Sequence, residues 1–426
     1  MQREQLRQVI LDQQALSTPE NYIHRAVEEK LEPLMGTPQI VVITGIRRCG
    51  KSTVLQILRK RFSESNYYLN FDDERLTQFT VEDFQILLEL FIELYGEQKA
   101  FYFDEIQNIS GWERFVRRLH DQKYKVYVTG SNATMFSREL GTRLTGRYLL
   151  LEMYPFSFQE YVYWKTDKEI IDLFKLTTML TAKIRRLFNE YIEDGGFPEY
   201  LENKTPDYLT MLYESILYRD IIVRHKISNG KALKELVLYL ASNIGKDVSF
   251  NALKKMLNLG SATTVSEYCS YLESSFLCFF INRYDYSLKK QIHYSKKNYL
   301  IDPGLAKFIG FRFSEDRGRL LENIVFLELK RRNKLDIYFH RQQYECDFVV
   351  RRGIKIVQAI QVTQHLNDQA TKQRELRGLL EAMKTYQLNE GYLLTENEEN
   401  IEILNHESKH YTVHIIPLWK WLLMEK

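Results

Sequence analysis

The stretch GIRRCGKST carries the clearest chemical signal in the sequence. It matches the pattern G-x-x-x-x-G-K-[ST], follows an apolar segment and precedes a predicted helix, which is the context that a phosphate-binding loop requires. Glycines let backbone N–H groups turn towards phosphate oxygens, and the helix N-terminus adds a partial positive charge. We expect Lys51 to neutralise the β- and γ-phosphates and Ser52 to bind Mg²⁺ through its hydroxyl. The residues expected to line the bound nucleotide are Gly45, Ile46, Arg47, Arg48, Cys49, Gly50, Lys51, Ser52 and Thr53.

A second acidic element follows in the segment KAFYFDEIQNI. This apolar run ends in two carboxylates, Asp104 and Glu105, and a buried strand has little structural reason to end in two charges. Asp104 is expected to hold Mg²⁺ through its water shell, and Glu105 to orient and deprotonate the attacking water. Together the two elements predict ATP and Mg²⁺ as cofactors and hydrolysis of ATP as the reaction.

Alternating strands and helices between residues 39 and 151 must position these side chains. Short apolar runs without polar alternation are typical of strands buried on both faces, so we predict a mostly parallel sheet covered by helices. One predicted strand lies between the loop and the acidic strand in sequence. With the adjacent Glu105, this order resembles the branch of P-loop ATPases that includes the AAA+ proteins. The predicted strands are residues 40–44, 67–71, 99–104, 124–130 and 148–153.

The resemblance extends to a series of motifs along nearly the whole chain. They look like those of prokaryotic AAA-family ATPases that resemble the archaeal-type ATPases, and they are GIRRCGKS, FYFDEIQNI, TGSNA, LTGRY, PFSFQEY, GGFPEY and YRDII. The resemblance implies that Ser131 or Asn132 senses the γ-phosphate, although a polar turn after a strand is also ordinary. It further implies that Gly195 to Glu199 belong to a lid that forms the far wall of the nucleotide pocket, and that Arg219 is a second phosphate sensor.

Two arginines in the segment ELGTRLTGRYLLLE are candidates for catalysis between subunits. AAA+ assemblies keep an arginine near this point that reaches the nucleotide of a neighbouring subunit and stabilises charge in the transition state. Arg147 is the preferred candidate and Arg143 the other. The alternative is that both are surface arginines paired with Glu139 or Glu152.

Composition and charge narrow the classes of partner. The 426 residues are 44% hydrophobic and 27% charged, which is typical of a folded protein of two or three domains. Basic side chains number 59 and acidic ones 56, so a surface for nucleic acid must be local. Scattered cysteines, a polar N-terminus and the lack of a long apolar run predict a cytoplasmic protein with no membrane partner.

Residues 229–312 follow the order of a winged helix, with helices at about 231–244, 249–257 and 262–274, then two strand-like segments joined by a lysine-rich turn. Small polar residues open the third helix and lysines lie in the turn, which suits contacts with DNA. A protein-interaction or spacer module is the open alternative, because Glu267 would repel phosphate. The residues concerned are Ser261, Thr263, Thr264, Ser266, Lys289, Lys290, Lys296 and Lys297.

The C-terminal segment resembles the PD-(D/E)xK nuclease fold, whose chemistry needs carboxylates and a strand with the pattern E-x-K. Glu322 and Asp347 match the first two positions, but Gln361 and Thr363 stand where glutamate and lysine are expected. An amide is a weak ligand of Mg²⁺ and threonine supplies no ammonium, so we expect no cleavage even if Glu345 adds a carboxylate. No residue is expected to replace the lysine, and the domain is expected to serve binding or assembly.

These observations predict an α/β protein of four parts. They are an AAA+ type P-loop core at 1–154, a helical lid at 155–228, a winged helix at 229–312 and a restriction-endonuclease-like α/β domain at 313–426. We expect ATP hydrolysis coupled to conformational change or assembly and acting on DNA, in a chain that is able to form a homo-oligomer. A nucleotide-controlled signalling or defence switch with a protein partner is the alternative, and an active Mg²⁺-dependent nuclease is less favoured.

Overall fold

The computed structural model describes residues 1–15, 22–61, 64–132, 144, 146–166, 171–205, 207–310, 317–332, 335–406 and 409–424. The chain divides into two compact units. The first contains residues 1–155 with 274–276, and the second contains residues 156–273 with 277–426. Within the described residues, no helix is long and apolar enough to cross a membrane.

The first unit contains one parallel sheet with helices. Its strands are β1 (Ile40–Gly45), β2 (Tyr68–Asn70), β3 (Ala100–Asp104), β4 (Lys125–Gly130) and β5 (Tyr148–Met153). Its helices are α1 (Arg3–Ala15), α2 (Ala26–Met35), α3 (Lys51–Lys60), α4 (Asp83–Tyr95) and α5 (Trp112–Asp121). The sheet order is β2-β3-β4-β1-β5, and every pairing in it is parallel. The predicted parallel α/β sheet is confirmed.

The central strands of this sheet are apolar because both of their faces are covered. All residues of β1 and β3 are buried. Aromatic side chains fill much of the space around them, as where Phe84 stacks on Phe115 with ring centroids 4.4 Å apart. In the sheet, β4 lies between β1 and β3. The carboxyl ends of these three parallel strands therefore meet at one edge, where Gly45, Asp104 and Gly130 end their strands.

The second unit begins with a helical segment, as predicted. Its first helices are α6 (Phe158–Lys165), α7 (Thr178–Asp194), α8 (Pro198–Asn203) and α9 (Tyr208–Ser215), and a π-helix (Ile216–Val223) follows. The later helices are α10 (Gly230–Ser242), α11 (Phe250–Met256), α12 (Ala262–Ser274), α13 (Leu288–His293), α14 (Pro303–Ile309), α15 (Arg317–Arg331), α16 (Gln369–Thr385) and α17 (Leu418–Leu423).

A nine-stranded mixed sheet forms the rest of the second unit. Its strands are β6 (Asp247–Val248), β7 (Cys278–Arg283), β8 (Lys296–Leu300), β9 (Asp336–Arg341), β10 (Glu345–Arg352), β11 (Lys355–Val362), β12 (Glu390–Thr395), β13 (Asn400–His406) and β14 (Lys409–Pro417). The order is β13-β14-β12-β11-β10-β9-β7-β8-β6. β7 pairs in parallel with β9, so strands from residues 229–312 and from residues 313–426 belong to one sheet. The hairpin of β13 and β14 lies beyond the elements predicted from the sequence.

The lysine-rich segment is a helix, and its prediction as a turn between two strands is wrong. Residues 288–293 form α13, and the strands on either side of it, β7 and β8, pair antiparallel. Asp285 fixes the start of this helix through its carboxylate, which accepts the backbone N–H of Ser287 at 2.9 Å. Its carbonyl oxygen also accepts the side-chain amide of Gln291 at 2.5 Å. These local hydrogen bonds tie Asp285 to the residue before the helix and to a side chain within it, which favours helix over an open turn.

Candidate nucleotide-binding site

The predicted phosphate-binding loop connects the end of β1 to the start of α3. A side chain at Gly45 would place its Cβ 2.0 Å from the carbonyl oxygen of Met153, and Gly50 has a φ of +101°. Both positions therefore require glycine. Arg48 also adopts a left-handed conformation, with a φ of 65°. In the loop and first turn of α3, Ile46, Cys49 and Lys51 are buried, Thr53 is half-buried and Ser52 is exposed.

Lys51 connects this loop to the acidic strand. Its ammonium donates a hydrogen bond to the carbonyl oxygen of Ile46 at 3.2 Å and forms an ion pair with Glu105 at 3.3 Å. Burial alone would lower the pKa of Lys51, but the carboxylates of Glu105 and Asp104 help to outweigh it, so that the pKa is raised. Lys51 therefore stays charged, as neutralisation of phosphate requires.

Asp104 is the last residue of β3 and is fully buried. The hydroxyl of Thr129 in β4 donates to Oδ1 of Asp104 and accepts the backbone N–H of Glu105 at 2.9 Å. Burial raises the pKa of Asp104 to about 6, and the charge of Glu105 adds to the rise. The side chains of Thr129, Ser52 and Lys51 act in the opposite direction. Thr129 thus links the two carboxylate residues, although the sequence had pointed to the residues after β4 instead.

Glu105 has a constrained backbone and two side-chain partners. Its φ is 50°, a left-handed conformation that costs a non-glycine residue roughly 1–2 kcal/mol. Gln107 donates its side-chain amide to Oε2 at 2.5 Å, and Lys51 pairs with Oε1. Burial would raise the pKa of Glu105, but Lys51 and Gln107 contribute to a net lowering. Glu105 is therefore ionised and oriented, as a base that positions water must be.

The chemistry of this site fits a nucleoside triphosphate with Mg²⁺. Oδ2 of Asp104 and Oγ1 of Thr44 are buried and have no hydrogen-bond partner within the described residues. Buried polar atoms of this kind are costly unless a ligand, ion or water satisfies them. The Ser52 side chain acts on the pKa of Asp104, so this hydroxyl and this carboxylate lie close together. Carboxylate and hydroxyl oxygens are ligands that Mg²⁺ prefers.

Arg25 lies outside the phosphate-binding loop and stabilises it by hydrogen bonds. No sequence motif had indicated this role. Its guanidinium donates to the carbonyl oxygen of Cys49 at 2.9 Å and to that of Tyr154 at 2.7 Å. Its own backbone N–H donates to the carboxylate of Glu28 at 2.8 Å, which fixes Arg25 at the start of α2. Arg25 thereby joins the loop to the segment that follows β5. A single arginine in this part of the sequence gives no signal for this role.

Comparison with known proteins supports this interpretation of the first unit. A model of the AAA domain matches residues 37–162, which include the loop, β3 and β4. An uncharacterized protein of Methanocaldococcus jannaschii is 35% identical over 98% of this chain and 94% of that protein. An uncharacterized protein of Haemophilus influenzae is 31% identical over 80% of this chain and 86% of that protein. The chain belongs to the family of these two proteins.

Further matches concern the second unit and the fold. Two models of domains of unknown function match residues 185–315 (DUF8612) and 317–421 (DUF4143). The structure of the Aeropyrum pernix Orc1 protein in complex with DNA has a TM-score of 0.30 and 14% identity, and covers 71% of this chain and 95% of that one. Cdc6p from Pyrobaculum aerophilum has a TM-score of 0.27 and 13% identity, with 73% and 97% covered. At these TM-scores neither likeness carries an argument about this chain.

The structure describes some, but not all, of the other residues predicted to act in the AAA domain. Ser131 and Asn132 are buried directly after β4, and Ser131 lies 3.5 Å from the side-chain amide of Gln107. Arg147 forms an ion pair with Asp121 at 3.3 Å, a partner that had not been predicted. Arg143 and Glu139 lie outside the described residues. The roles of Asn132, Arg143 and Arg147 stay predictions.

The predicted lid residues have partners within the second unit. The backbone N–H of Gly196 donates to the carboxylate of Asp302 at 2.6 Å. A Cβ at Gly195 would lie 2.1 Å from the same carboxylate, so glycine is needed there. Burial raises the pKa of Asp302 to about 6. These contacts explain the glycine pair by packing within the second unit, and a role in the nucleotide pocket stays a prediction, as does that of Arg219.

The predicted nuclease-like positions come together in the second unit. Glu322 on α15 and Asp347 on β10 both contact Lys297 of β8, at 3.1 Å and 2.9 Å. Gln361 accepts the backbone N–H of Asp347 at 3.1 Å. Thr363 is directed elsewhere and donates to the carbonyl oxygen of His365 at 3.4 Å. The expectation that no residue replaces the missing lysine is wrong, because an ammonium reaches the carboxylates from a different strand.

Proposed function

We propose that the first unit binds ATP with Mg²⁺ and hydrolyses it, and that hydrolysis drives a conformational change or assembly. The observation that carries the proposal is the distance of 3.3 Å between Lys51 of the loop and Glu105 beside Asp104. It means that the phosphate-binding element and the acidic element meet at one edge of the sheet. The match of residues 37–162 to the AAA domain supports the same assignment.

In this proposal each side chain has one task. Lys51 exchanges Glu105 for phosphate oxygens when nucleotide binds, which releases Glu105 to accept a proton from the attacking water. Ser52 and Asp104 would hold Mg²⁺, which supplies positive charge next to the β- and γ-phosphates when bound. Gln107 and Thr129 keep Glu105 in place during the exchange, because each donates to or accepts from it. Asn132, Arg143 and Arg147 keep their predicted roles around the γ-phosphate.

Substitutions at the two charged partners test the proposal. Lys51→Ala should abolish ATP binding in a filter or calorimetric assay, whereas Lys60→Ala at the exposed end of α3 should leave it unchanged.

Glu105→Gln should bind ATP and turn it over roughly 10²–10⁴ times more slowly, the usual contribution of a general base. Glu74→Gln, an exposed glutamate of the same unit, is the matched control. Normal turnover in Glu105→Gln would remove Glu105 from catalysis.

We further propose that this activity is directed to DNA through the surface around α13. Lys289 and Lys290 are exposed there and Lys296 is half-exposed, so a local basic surface exists despite the near-neutral chain. One expected contact is absent from this surface, because Lys297 is buried. Ser261 is half-buried and caps α12 by accepting the backbone N–H of Thr264 at 3.1 Å, and its contact with DNA stays a prediction.

The rate of ATP hydrolysis with and without single- and double-stranded DNA, at two salt concentrations, tests this second proposal. Stimulation that fades as salt rises indicates contacts with phosphates, since each neutralised phosphate releases counterions. Lys289→Ala with Lys290→Ala should reduce the stimulation without changing the rate in the absence of DNA. A rate of ATP hydrolysis that DNA does not change would instead favour the nucleotide-controlled switch with a protein partner.

A further inference from the structure

A cluster of opposite charges centred on a buried lysine lies in the second unit, away from the proposed nucleotide site in sequence. The ammonium of Lys297 lies 2.7 Å from Glu345, 2.9 Å from Asp347 and 3.1 Å from Glu322. The side chain of Lys297 is only 1% exposed. Three carboxylates from α15 and β10 therefore converge on one point. The cation that they share at this point belongs to β8.

The carboxylates are also satisfied by the groups around them. Tyr299 donates its hydroxyl to Glu322 at 2.7 Å, and the backbone N–H of Val362 donates to Asp347 at 3.0 Å. Arg341 donates to Glu345 as a second cation. A divalent cation would thus have to displace a buried ammonium that already makes three close contacts.

The neutral residue on β11 fits the same arrangement. Gln361 accepts the backbone N–H of Asp347 and donates its own amide to Glu375 at 2.6 Å, so both ends of this side chain have partners. Its amide oxygen is already used by the neighbouring strand. Within the described residues, no three His, Cys, Asp or Glu side chains are grouped so as to hold a metal ion. The cluster is arranged around an ammonium.

We propose that Lys297 is a built-in cation, which takes the place that a divalent metal would otherwise occupy among Glu322, Glu345 and Asp347. Breaking a buried ion pair by removing one partner is strongly destabilising, because the other charges are left uncompensated. Lys297 lies in the segment matched at 185–315, and its three partners lie in the segment matched at 317–421. The same contact therefore locks β8 to α15 and β10 across the two matched segments.

This role accounts for a pocket that resembles a nuclease site and holds an ammonium where a metal would bind. Carboxylates that converge in a buried site repel one another unless a cation lies between them. Here the chain supplies that cation itself, and supplies it permanently. Without Lys297, we expect the three carboxylates to close around the open position as oxygen ligands, which divalent cations prefer.

The test compares the protein of 426 residues with three variants, Lys297→Met, Asp347→Asn and the double variant, by thermal unfolding with and without Mn²⁺. Lys297→Met should lower Tm by on the order of 10 °C. Mn²⁺ should then raise Tm in Lys297→Met but not in the double variant, which shows that any response requires Asp347. Lys355→Met, at an exposed lysine of β11 in the same sheet, is the control and should behave as the parent protein.

Two outcomes would overturn the proposal. One is binding of Mn²⁺ by the parent protein that is lost in Asp347→Asn, measured by Mn²⁺ paramagnetic resonance, because the pocket would then take a metal with Lys297 in place. The other is a folded Lys297→Met variant whose Tm does not respond to Mn²⁺. The first measurement decides the question even if Lys297→Met fails to fold, since it uses only the parent protein and Asp347→Asn.

Discussion

Two adjacent carboxylates at the end of β3 are placed in opposite electrostatic environments. Burial raises the pKa of Asp104 to about 6, whereas Lys51 and Gln107 contribute to a lowered pKa at Glu105. One side chain is thus poised to gain a cation and the other to remain an ionised base. The two proposed roles are therefore separated by burial and the charge of Glu105 at Asp104, and by Lys51 and Gln107 at Glu105.

The raised pKa of Asp104 has a consequence for stability. The folded protein holds this proton more tightly than the unfolded chain, so ionisation of Asp104 lowers the free energy of unfolding. This loss is absent below the ordinary pKa of 3.8, grows as the pH rises and is complete above about pH 6. Asp104→Asn should therefore stabilise the nucleotide-free protein at pH 7 by on the order of 2–3 kcal/mol, while it abolishes turnover. Urea unfolding at pH 7 and at pH 4 measures the gain, which should shrink at the lower pH.

Asp172→Asn, at an exposed aspartate of the second unit, is the control and should change stability little at either pH. If Asp104→Asn and the parent protein are equally stable at pH 7, the pKa of the Asp104 carboxyl is not raised by burial. A gain that persists undiminished at pH 4 would point to a cause other than ionisation.

At the scale of elements, the features that could be predicted are those determined by residues close together in sequence. The five strands of the first sheet follow from apolar runs of the right length, and the loop follows from glycines that lie close together in sequence. Lys297 shows the opposite case. Its partners Glu322 and Asp347 lie 25 and 50 residues away, so its burial depends on the packing of β8 against α15 and β10. No local pattern distinguishes it from Lys296, its half-exposed neighbour.

Arg25 is a second case in which a distant contact decides the role of a residue. Because its guanidinium bonds to the carbonyl oxygens of Cys49 and Tyr154, Arg25→Met should leave both acceptors buried without this donor. We expect the loop to loosen and the affinity for ATP to fall roughly tenfold, in line with about 1–2 kcal/mol for such hydrogen bonds. Isothermal titration with the Glu105→Gln background, which prevents turnover, measures the change.

The control for this prediction is Arg114→Met, an exposed arginine of α5. It removes the same charge and adds the same side chain without touching the loop. A loss of affinity in both variants would indicate a general effect of charge on binding, and unchanged affinity in Arg25→Met would show that the loop keeps its shape without the brace.

At the scale of the whole molecule, the chain contains two units with separate cores. One core consists of side chains between Leu6 and Leu144, and another lies under the sheet of the second unit, between Cys346 and Ile415. The sheet of the second unit runs through both matched segments of unknown function, since β7 pairs with β9. The parts predicted at 229–312 and 313–426 therefore share a sheet, a feature that pairing between distant strands determines and that local sequence patterns do not reveal.

Separate cores predict separate responses to ligand and to substitution. A ligand that binds only the folded form stabilises it by RT ln(1 + [L]/Kd), about 2.7 kcal/mol at a ligand concentration of one hundred times Kd. In Glu105→Gln, saturating ATP with Mg²⁺ should raise the unfolding transition of the first unit and leave that of the second unchanged. Lys297→Met should lower only the second. Scanning calorimetry of both variants resolves this, and a single transition that moves as a whole under both changes would show that the units unfold as one.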